Sequence, residues 1–264
     1  MGRNQSLRVG ILLLSLSLAV LTAVTLFHGT GIPLDMNQRL APAGQGHPLG
    51  TDDLGRDFLA CLARGAWLSL AISLAVVTLA ALVGTVLGAL AGFCGGIVDS
   101  LVMRSADVIL AFPGFLLALA VVSFAGSGFI PLIGALAFSS WVGFARLIRG
   151  EVIRHKQSDF IQAARGFNAS TGHILRRHLL PLILPLVVTQ ATVDLAGVIL
   201  AESSLNFLGL GLPPDIPTLG QLIDNGRGYL FHHTRLMILP GIVLFLLILS
   251  VSLVGDGLRR RFSR

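Results

Sequence analysis

Charged residues are scarce in this chain. Asp, Glu, Lys and Arg make up 12% of the 264 residues, where a soluble globular domain carries about 25%. Hydrophobic residues make up 54%, and the mean hydropathy is +0.83. A water-soluble fold of this length could not bury so much apolar surface, so lipid must solvate part of it. The composition excludes an ordinary soluble domain and predicts a protein that crosses a membrane several times.

Lysine is almost absent, because Lys156 is the only one. It does not stand in a G-x-x-x-x-G-K-[ST] loop, so no Walker A site is predicted and any ATP hydrolysis must come from a partner. Two cysteines, Cys61 and Cys94, do not make a disulfide framework. The seven histidines are scattered, none of them in H-E-x-x-H spacing, so no metal site is expected. Neither G-x-S-x-G nor S-x-x-K is present, which gives an intramembrane hydrolase little support.

Apolar stretches long enough, or nearly so, to cross about 30 Å of hydrocarbon recur six times. We therefore predict an all-α integral membrane protein with six transmembrane helices. Residues 1–66 are expected to hold a first helix and an outer loop, and residues 67–264 a core domain with five helices and a cytoplasmic loop. The six stretches are 9–27, 67–93, 106–125, 129–146, 182–203 and 237–255.

The arginines lie between these stretches and orient them. If the N-terminus is inside, 14 of the 19 Lys and Arg residues fall on inner segments and five on outer ones, in agreement with the positive-inside rule. Both termini are therefore predicted to be cytoplasmic, and topology explains the net charge of +6 without nucleic acid. No A-x-A-like site follows directly after the first stretch, which favours an uncleaved signal anchor over a signal peptide.

Small residues recur at every fourth position along the second stretch. The row consists of Ala80, Gly84, Gly88, Gly92 and Gly96. In lipid, such a row lets another helix approach closely. It predicts helix packing, within this chain or against a partner, and a ligand path is the alternative.

Ionisable residues inside apolar stretches are energetically expensive and so indicate function or pairing. Asp194 lies near the middle of the fifth stretch, where it could line a pore or form an inter-helix hydrogen bond. Glu202 and Ser203 lie near its outer end and are assigned to a translocation path or gate, with a structural pair as the alternative for Glu202. Asp107 stands three residues after Arg104, and these two are expected to pair.

The inner segment at residues 147–181 is the most informative. Helix-forming residues that begin at Asp159 precede a turn predicted at Gly166 to Asn168. A second helical piece is expected to end at Pro181, where the next span begins. A short helix with small residues on one face fits closely against a partner groove, and an amphipathic helix at the membrane surface is the alternative.

This segment resembles the EAA loop of ABC-importer permeases, whose pattern is roughly E-A-A-x-x-x-G with L-P further on. Gln162-Ala163-Ala164 stands at E-A-A, Asn168 at the glycine and Leu180-Pro181 at the end. Gln162 lacks the usual acidic charge but keeps an acceptor of similar length. Asn168 is among the non-glycine residues that most readily adopt a positive φ. The resemblance implies an ATPase-coupling loop formed by Gln162, Ala163, Ala164, Arg165, Gly166, Asn168, Ala169 and Ser170.

Further motifs narrow the family. Residues 47–57 read H-P-L-G-T-D-D-L-G-R-D, similar to a signature of the dipeptide, oligopeptide and nickel permeases. Residues 103–113, 201–211 and 255–259 resemble other stretches of the same family. The outer signature can be interpreted as a structural knot of local ion pairs or as a contact for a binding protein or partner subunit. Its residues are His47, Gly50, Thr51, Asp52, Gly55, Arg56 and Asp57.

The resemblance implies a type I ABC-importer permease architecture in a bacterial inner membrane. The chain would form half of the translocation pore for di- or oligopeptides, without catalysis or a cofactor of its own. Nickel or metal-chelate import is one alternative, and a self-contained channel or secondary transporter is another. The implied partners are a homologous permease subunit, two ATP-binding subunits that bind ATP and Mg, an extracytoplasmic substrate-binding protein and the lipid bilayer.

Overall fold

A computed structural model describes residues 5–28, 32–44 and 46–262. Over these residues the chain is built from α-helices and holds no β-strand, only isolated bridges between Gly44 and His47 and between Thr51 and Asp57. The helices are α1 (Gln5–His28), α2 (Phe58–Cys94), α3 (Gly96–Leu110), α4 (Gly114–Ala125), α5 (Phe129–Lys156), α6 (Asp159–Gly166), α7 (Thr171–Ile174), α8 (Leu180–Phe207), α9 (Leu219–Arg227) and α10 (Arg235–Phe262).

Five of the described helical segments are long and apolar enough to cross a membrane. They are α1, α2, α5, the continuous segment Thr171–Phe207 and α10. A sixth span exists only if the bent pair α3 and α4 is counted as one. The all-α membrane architecture is therefore confirmed, with one span of unexpected form.

The third span is not the single straight helix expected over residues 106–125. Helix α3 ends at Leu110, α4 begins at Gly114, and their axes differ by 87°. Pro113 lies between them with an extended ψ of 123°. Proline has no N–H for the helical ladder and disfavours helical backbone at the residue before it. The break was not predicted, because the average hydropathy of the stretch does not depend on the backbone preference of Pro113.

Helix α2 begins nine residues before the apolar stretch that predicted it. The Asp57 carboxylate caps its first turn by accepting from the Ala60 N–H at 2.9 Å. The helix has 37 residues, or about 55 Å at 1.5 Å per residue, so it extends well beyond 30 Å of hydrocarbon. It passes through residues 66 and 67 without a break, and the domain division suggested there stays a prediction.

Helices α2 and α5 approach each other through the row of glycines. A Cβ atom on Gly88 would lie 2.9 Å from the Cα atom of Ala145, and one on Gly92 would lie 2.9 Å from the Arg149 carbonyl oxygen. Gly84 faces Phe144 and the neighbouring backbone of α5 just as closely. The packing interpretation of this row is confirmed, and the partner helix belongs to the same chain. Gly96 is not part of the contact, because a Cβ atom there would meet open space.

The sequence predicted that the helical piece before the fifth span ends at Pro181. In the structure the helix continues through this residue. A wide turn of π-helix at Leu175–Leu179 joins α7 to α8 without a break. The Leu180 N–H bonds to the carbonyl of Leu175, five residues earlier. Pro181 then occupies the first turn of α8, where its missing N–H matters little.

Three apolar clusters hold the helices together. One lies between α2, α3, α4, α5 and α8, and a second joins α2 to α8, α9 and α10. The third, the inner cluster, ties α6 and α7 to the ends of α2 and α5. Its buried members are Phe93, Ile148, Val152, Ile161, Ile174, Leu179 and Ile183.

Gly88→Leu should force α2 and α5 apart, since the new side chain overlaps the backbone of Ala145. Overpacking of this kind destabilises a fold by about 1–3 kcal/mol. We expect a lower apparent Tm of the purified protein in detergent. Gly143→Leu is the matched control, because it places the same side chain on α5 where a Cβ atom meets open space. Equal Tm losses in both variants would contradict the packing interpretation.

Candidate functional site

The α6 segment is anchored to the bundle by two isoleucines. Ile161 and Ile174 are buried in the inner cluster, and the half-buried Ala164 and Ala169 pack against it. Burial of these apolar side chains holds the short helix in place, although eight residues are too few for a stable helix in isolation. The inner cluster therefore fixes the position of the segment relative to the helices that form this cluster.

Helix α6 ends in a left-handed turn at Asn168, whose φ is +60°. The Ala169 N–H donates to the Ala164 carbonyl at 3.1 Å and closes the turn as in a Schellman motif. Asn168 thus replaces the usual glycine by adopting the positive φ that its side chain tolerates. The turn predicted at Gly166 to Asn168 is confirmed. Ser170 begins the next helix, since its hydroxyl accepts from the His173 N–H at 3.3 Å.

The outer side of this segment is open. Gln162, Ala163, Gly166 and Asn168 are exposed, and the Gln162 amide donates a long hydrogen bond of 3.4 Å to the Gln157 carbonyl. The side chain of Arg165 lies outside the described part of the structure. Most of the predicted coupling residues therefore lie on the surface of the protein. Their role in coupling stays a prediction.

Phe167 was not singled out from the sequence, yet it is 90% exposed at the tip of the turn. The sequence feature that could have identified Phe167 is its position between Gly166 and Asn168. This position lies inside the motif, but the motif does not specify its residue type.

Lys156 joins the inner ends of α5 and α2. Its ammonium group donates to the Phe93 carbonyl and lies 5.6 Å from the centroid of the Phe93 ring. A cation at the C-terminal end of a helix is favourable, because the last carbonyls carry partial negative charge. Lys156, the only lysine of the sequence, therefore connects the ends of α2 and α5 at the point where the chain continues towards α6.

Two ion pairs tie α3 to α5. Arg149 binds Asp99 through two nitrogens, with Nη2 at 2.6 Å from Oδ2. Arg146 binds Asp107 at 2.5 Å. The expected pairing of Asp107 with Arg104 is wrong, because the arginine of the neighbouring helix reaches the carboxylate instead.

The outer signature folds into a compact knot. Asp52 accepts from the Leu54 and Arg56 N–H groups at 2.9 and 2.8 Å, and from Arg56 Nε at 2.7 Å. His47 lies with Nδ1 at 2.7 Å from Asp57 and Nε2 at 2.9 Å from Gln38. Asp52 and Arg56 are almost fully buried. The local ion pairs of the structural interpretation are present, whereas a docking role for these residues stays a prediction.

Two glycines and one arginine close the knot. Gly50 and Gly55 have φ near +70°, and a Cβ atom on either would overlap the Arg235 guanidinium or the Asp35 carbonyl. Arg235, at the start of α10, donates to the carbonyls of Ala41, Leu49 and Thr51. The Thr51 hydroxyl bonds the Ala41 N–H at 2.8 Å.

Asp53 lies at the edge of the knot. Partial burial, and then the negative charge of Asp52, raise the pKa of the Asp53 carboxyl above its usual value.

A buried acid cluster closes the outer end of α8. Glu202 is 0% exposed and accepts from Asn206 Nδ2 at 2.7 Å and from the Ser203 hydroxyl at 3.2 Å. Asn206 Oδ1 in turn accepts from the Leu212 N–H at 2.9 Å. Glu202 and Ser203 are both buried inside this chain, as in the structural alternative, and their role in a translocation path stays a prediction.

The segment at residues 208–218, which we term the outer strap, is held by several elements. The Gly128 N–H, in the turn between α4 and α5, donates to the Gly211 carbonyl at 3.0 Å. Arg56 of the outer knot donates to the Asp215 carbonyl at 3.4 Å. Together with the bond from Leu212 to Asn206, these contacts connect the outer ends of three helices.

Asp194 is not part of the acid cluster. It is half-buried and accepts from Gln190 Nε2 at 2.8 Å, one turn earlier on α8. This hydrogen bond lies within one helix, so the predicted inter-helix bond is not the one observed. A role for Asp194 in the pore lining stays a prediction. Within the described ranges, no group of three or more His, Cys, Asp or Glu side chains is placed to hold a metal ion.

Asn206→Asp should destabilise the outer end of the protein strongly. The new carboxylate cannot donate to Glu202, and it places a second acid beside a buried one. An uncompensated buried charge destabilises a fold by about 3–5 kcal/mol, so we expect a large loss in apparent Tm. Ser204→Ala is the control, because Ser204 is partly exposed and its hydroxyl donates to the Leu200 carbonyl of its own helix rather than to the acid cluster. Similar Tm values for the two variants would refute the role assigned to the cluster.

Comparison with known proteins places these features in a family. A family model described as binding-protein-dependent transport system inner membrane component matches residues 84–264. The glutathione transport system permease protein GsiD of Pectobacterium atrosepticum is 39% identical over 213 residues, which cover 81% of this chain and 71% of that protein. The dipeptide transport system permease protein DppC of Alkalihalophilus pseudofirmus is 34% identical over 258 residues, 97% of this chain and 85% of that protein.

The fold is also similar to a solved structure, that of the MetNI methionine ABC transporter in inward-facing conformations. The TM-score is 0.60 at 21% identity, over 77% of this chain and 97% of the matched chain. Because the sequence match covers more than half of the chain and agrees with the helical architecture, the chain belongs to the binding-protein-dependent transport system inner membrane components, the multi-pass permease subunits of ABC importers.

Proposed function

We propose that this chain forms half of the translocation pore of a peptide importer. Two relatives that cover most of the chain are named for dipeptide and glutathione transport, and glutathione is itself a small peptide. These names favour peptides over nickel or a metal chelate as cargo. Membership in an importer family leaves the self-contained channel and the secondary transporter without support.

The observation that carries the mechanism is the arrangement of α6. Its inner side is fixed in the inner cluster through Ile161, while Gln162, Ala163 and Phe167 face outward. A helix that is rigidly anchored on one side and open on the other is suited to transmit a push. We assign it as the coupling helix that fits into a groove of an ATP-binding subunit. Closure of the two ATP-binding subunits would then move α6 together with α2 and α5.

The alternation between outward-open and inward-open states requires a partner that binds the two states with different affinity. ATP supplies this difference through the ATP-binding subunits, so the chain itself performs no chemistry. The remaining partners that we assign are a homologous permease subunit, which forms the other half of the pore, and an extracytoplasmic binding protein that delivers the peptide. The arginine distribution supports an orientation with both termini in the cytoplasm.

Ala163→Leu should uncouple the complex without unfolding this chain, because Ala163 is exposed and leucine is a good helix former. The larger side chain prevents close fit in a partner groove. We expect the ATPase activity stimulated by peptide-loaded binding protein to fall at least tenfold in the reconstituted importer. Ala163→Ser is the matched control and should retain coupling. If Ala163→Leu keeps full stimulation, α6 is not the coupling helix.

The cargo assignment can be tested by uptake. We expect proteoliposomes that contain the complete importer and its cognate binding protein to accumulate a labelled dipeptide when ATP is supplied, and not labelled nickel(II). Uptake of nickel(II) without uptake of the dipeptide would instead assign this chain to a metal importer. A loss of dipeptide uptake on removal of the binding protein would support delivery by that protein.

A further inference from the structure

Arginines from opposite ends of the chain meet at one end of the bundle. Arg8 lies near the start of α1, and Arg259, Arg260 and Arg261 lie in the last turn of α10. The two helices are antiparallel and touch there, because a Cβ atom on Gly257 would lie 2.6 Å from the Cβ atom of Leu7. All four arginines are exposed. With Asp256 in the same region, the net charge of this arginine group is +3.

An apolar groove lies between the same two helices, further from their ends. Its volume is about 230 Å³. Leu16, Val20 and Leu21 of α1 line one side, and Val243 and Leu246 of α10 line the other. Leu16 and Val20 are both more than half exposed, so the groove opens outward rather than into the protein.

The groove and the arginine group share a continuous surface. On α1, residues Arg8, Leu12, Leu16 and Val20 follow at intervals of four, and all are exposed, which makes them neighbours along one row of the helix. On α10, Leu246 and Arg260 are fourteen residues apart, or nearly four full turns. These two residues therefore lie close to the same face of α10.

The distances fit one leaflet of a bilayer. Eight residues separate Arg8 from Leu16, a rise of about 12 Å, and twelve residues separate Leu247 from Arg259, a rise of about 18 Å. Half of the hydrocarbon thickness is about 15 Å. A lipid whose headgroup lies at the arginines therefore has the ends of its acyl chains at the depth of the groove.

We propose that this surface binds an anionic phospholipid, with its phosphate on the arginine group and one acyl chain in the groove. Guanidinium groups donate to phosphate through two parallel N–H bonds, which favours arginine at such a site. Clustered arginines next to a membrane helix attract anionic headgroups. The positive-inside rule explains arginines on the inner side. It does not explain the apolar groove, or the exposed row on α1 that connects Arg8 to this groove.

The test is native mass spectrometry of the importer complex in mild detergent, titrated with phosphatidylglycerol and, separately, with neutral phosphatidylcholine. We expect retained phosphatidylglycerol and little phosphatidylcholine. Replacement of Arg259, Arg260 and Arg261 by glutamine should weaken the binding of phosphatidylglycerol roughly fivefold per arginine. Arg104→Gln is the matched control, since Arg104 is an exposed arginine of α3, and it should bind as the native protein does.

A second variant tests the groove with every arginine in place. Val20→Phe fills the groove, and it should reduce bound phosphatidylglycerol at least fivefold while the mass of the complex stays unchanged. Equal binding by the native and triple-glutamine proteins would overturn the proposal. So would equal retention of phosphatidylcholine, or displacement of the lipid by millimolar inorganic phosphate, which would indicate a site for a free anion. Loss of an ATP-binding subunit from the triple variant, with lipid binding unchanged, would assign the arginines to a protein contact and equally refute the lipid site.

Discussion

The close contact between α2 and α5 is the constraint on which the other helices depend. Between helices in lipid the hydrophobic effect gives little attraction, so association relies on tight packing of backbones. Gly84, Gly88 and Gly92 supply that packing, because α5 occupies the space that a side chain at these positions would need. Helix α5 continues towards α6, and α2 begins at the outer knot. Their contact therefore sets the positions of the α6 segment and the outer knot relative to each other.

The buried charged side chains lie at one end of the bundle, and each has a specific partner. They are Asp52, Arg56, Asp57 and Glu202. The Asp52–Arg56 pair closes the outer knot, and Glu202 with Asn206 closes the outer end of α8. A buried pair adds little net stability, because desolvation offsets much of the attraction, whereas loss of one partner is strongly destabilising. The further contacts of the same residues, from Arg56 to the Asp215 carbonyl and from the Leu212 N–H to Asn206, specify which segments meet.

The parts of the fold that local sequence controls could be predicted. The glycine row indicated close packing, and the tolerance of Asn168 for positive φ indicated the turn after α6. Contacts between distant residues could not be predicted: Asp107 pairs with Arg146 rather than with its sequence neighbour Arg104. The break at Pro113 was missed because average hydropathy does not register the backbone preference of one residue. The burial of Glu202 likewise depends on the outer strap, which has no local signal.

Helix α2 has a mechanical consequence beyond its role in packing. It contains no proline or wide turn between Phe58 and Cys94, whereas α8 and α10 each contain an internal proline. Its first residue follows the Asp57 cap of the outer knot, and Phe93 near its last turn belongs to the inner cluster that anchors α6. A tilt imposed on α2 at its α6 end is therefore not absorbed by a proline kink or a wide turn within the helix. The outer knot must then move together with α2, so this helix acts as a rigid connection between the two ends of the bundle.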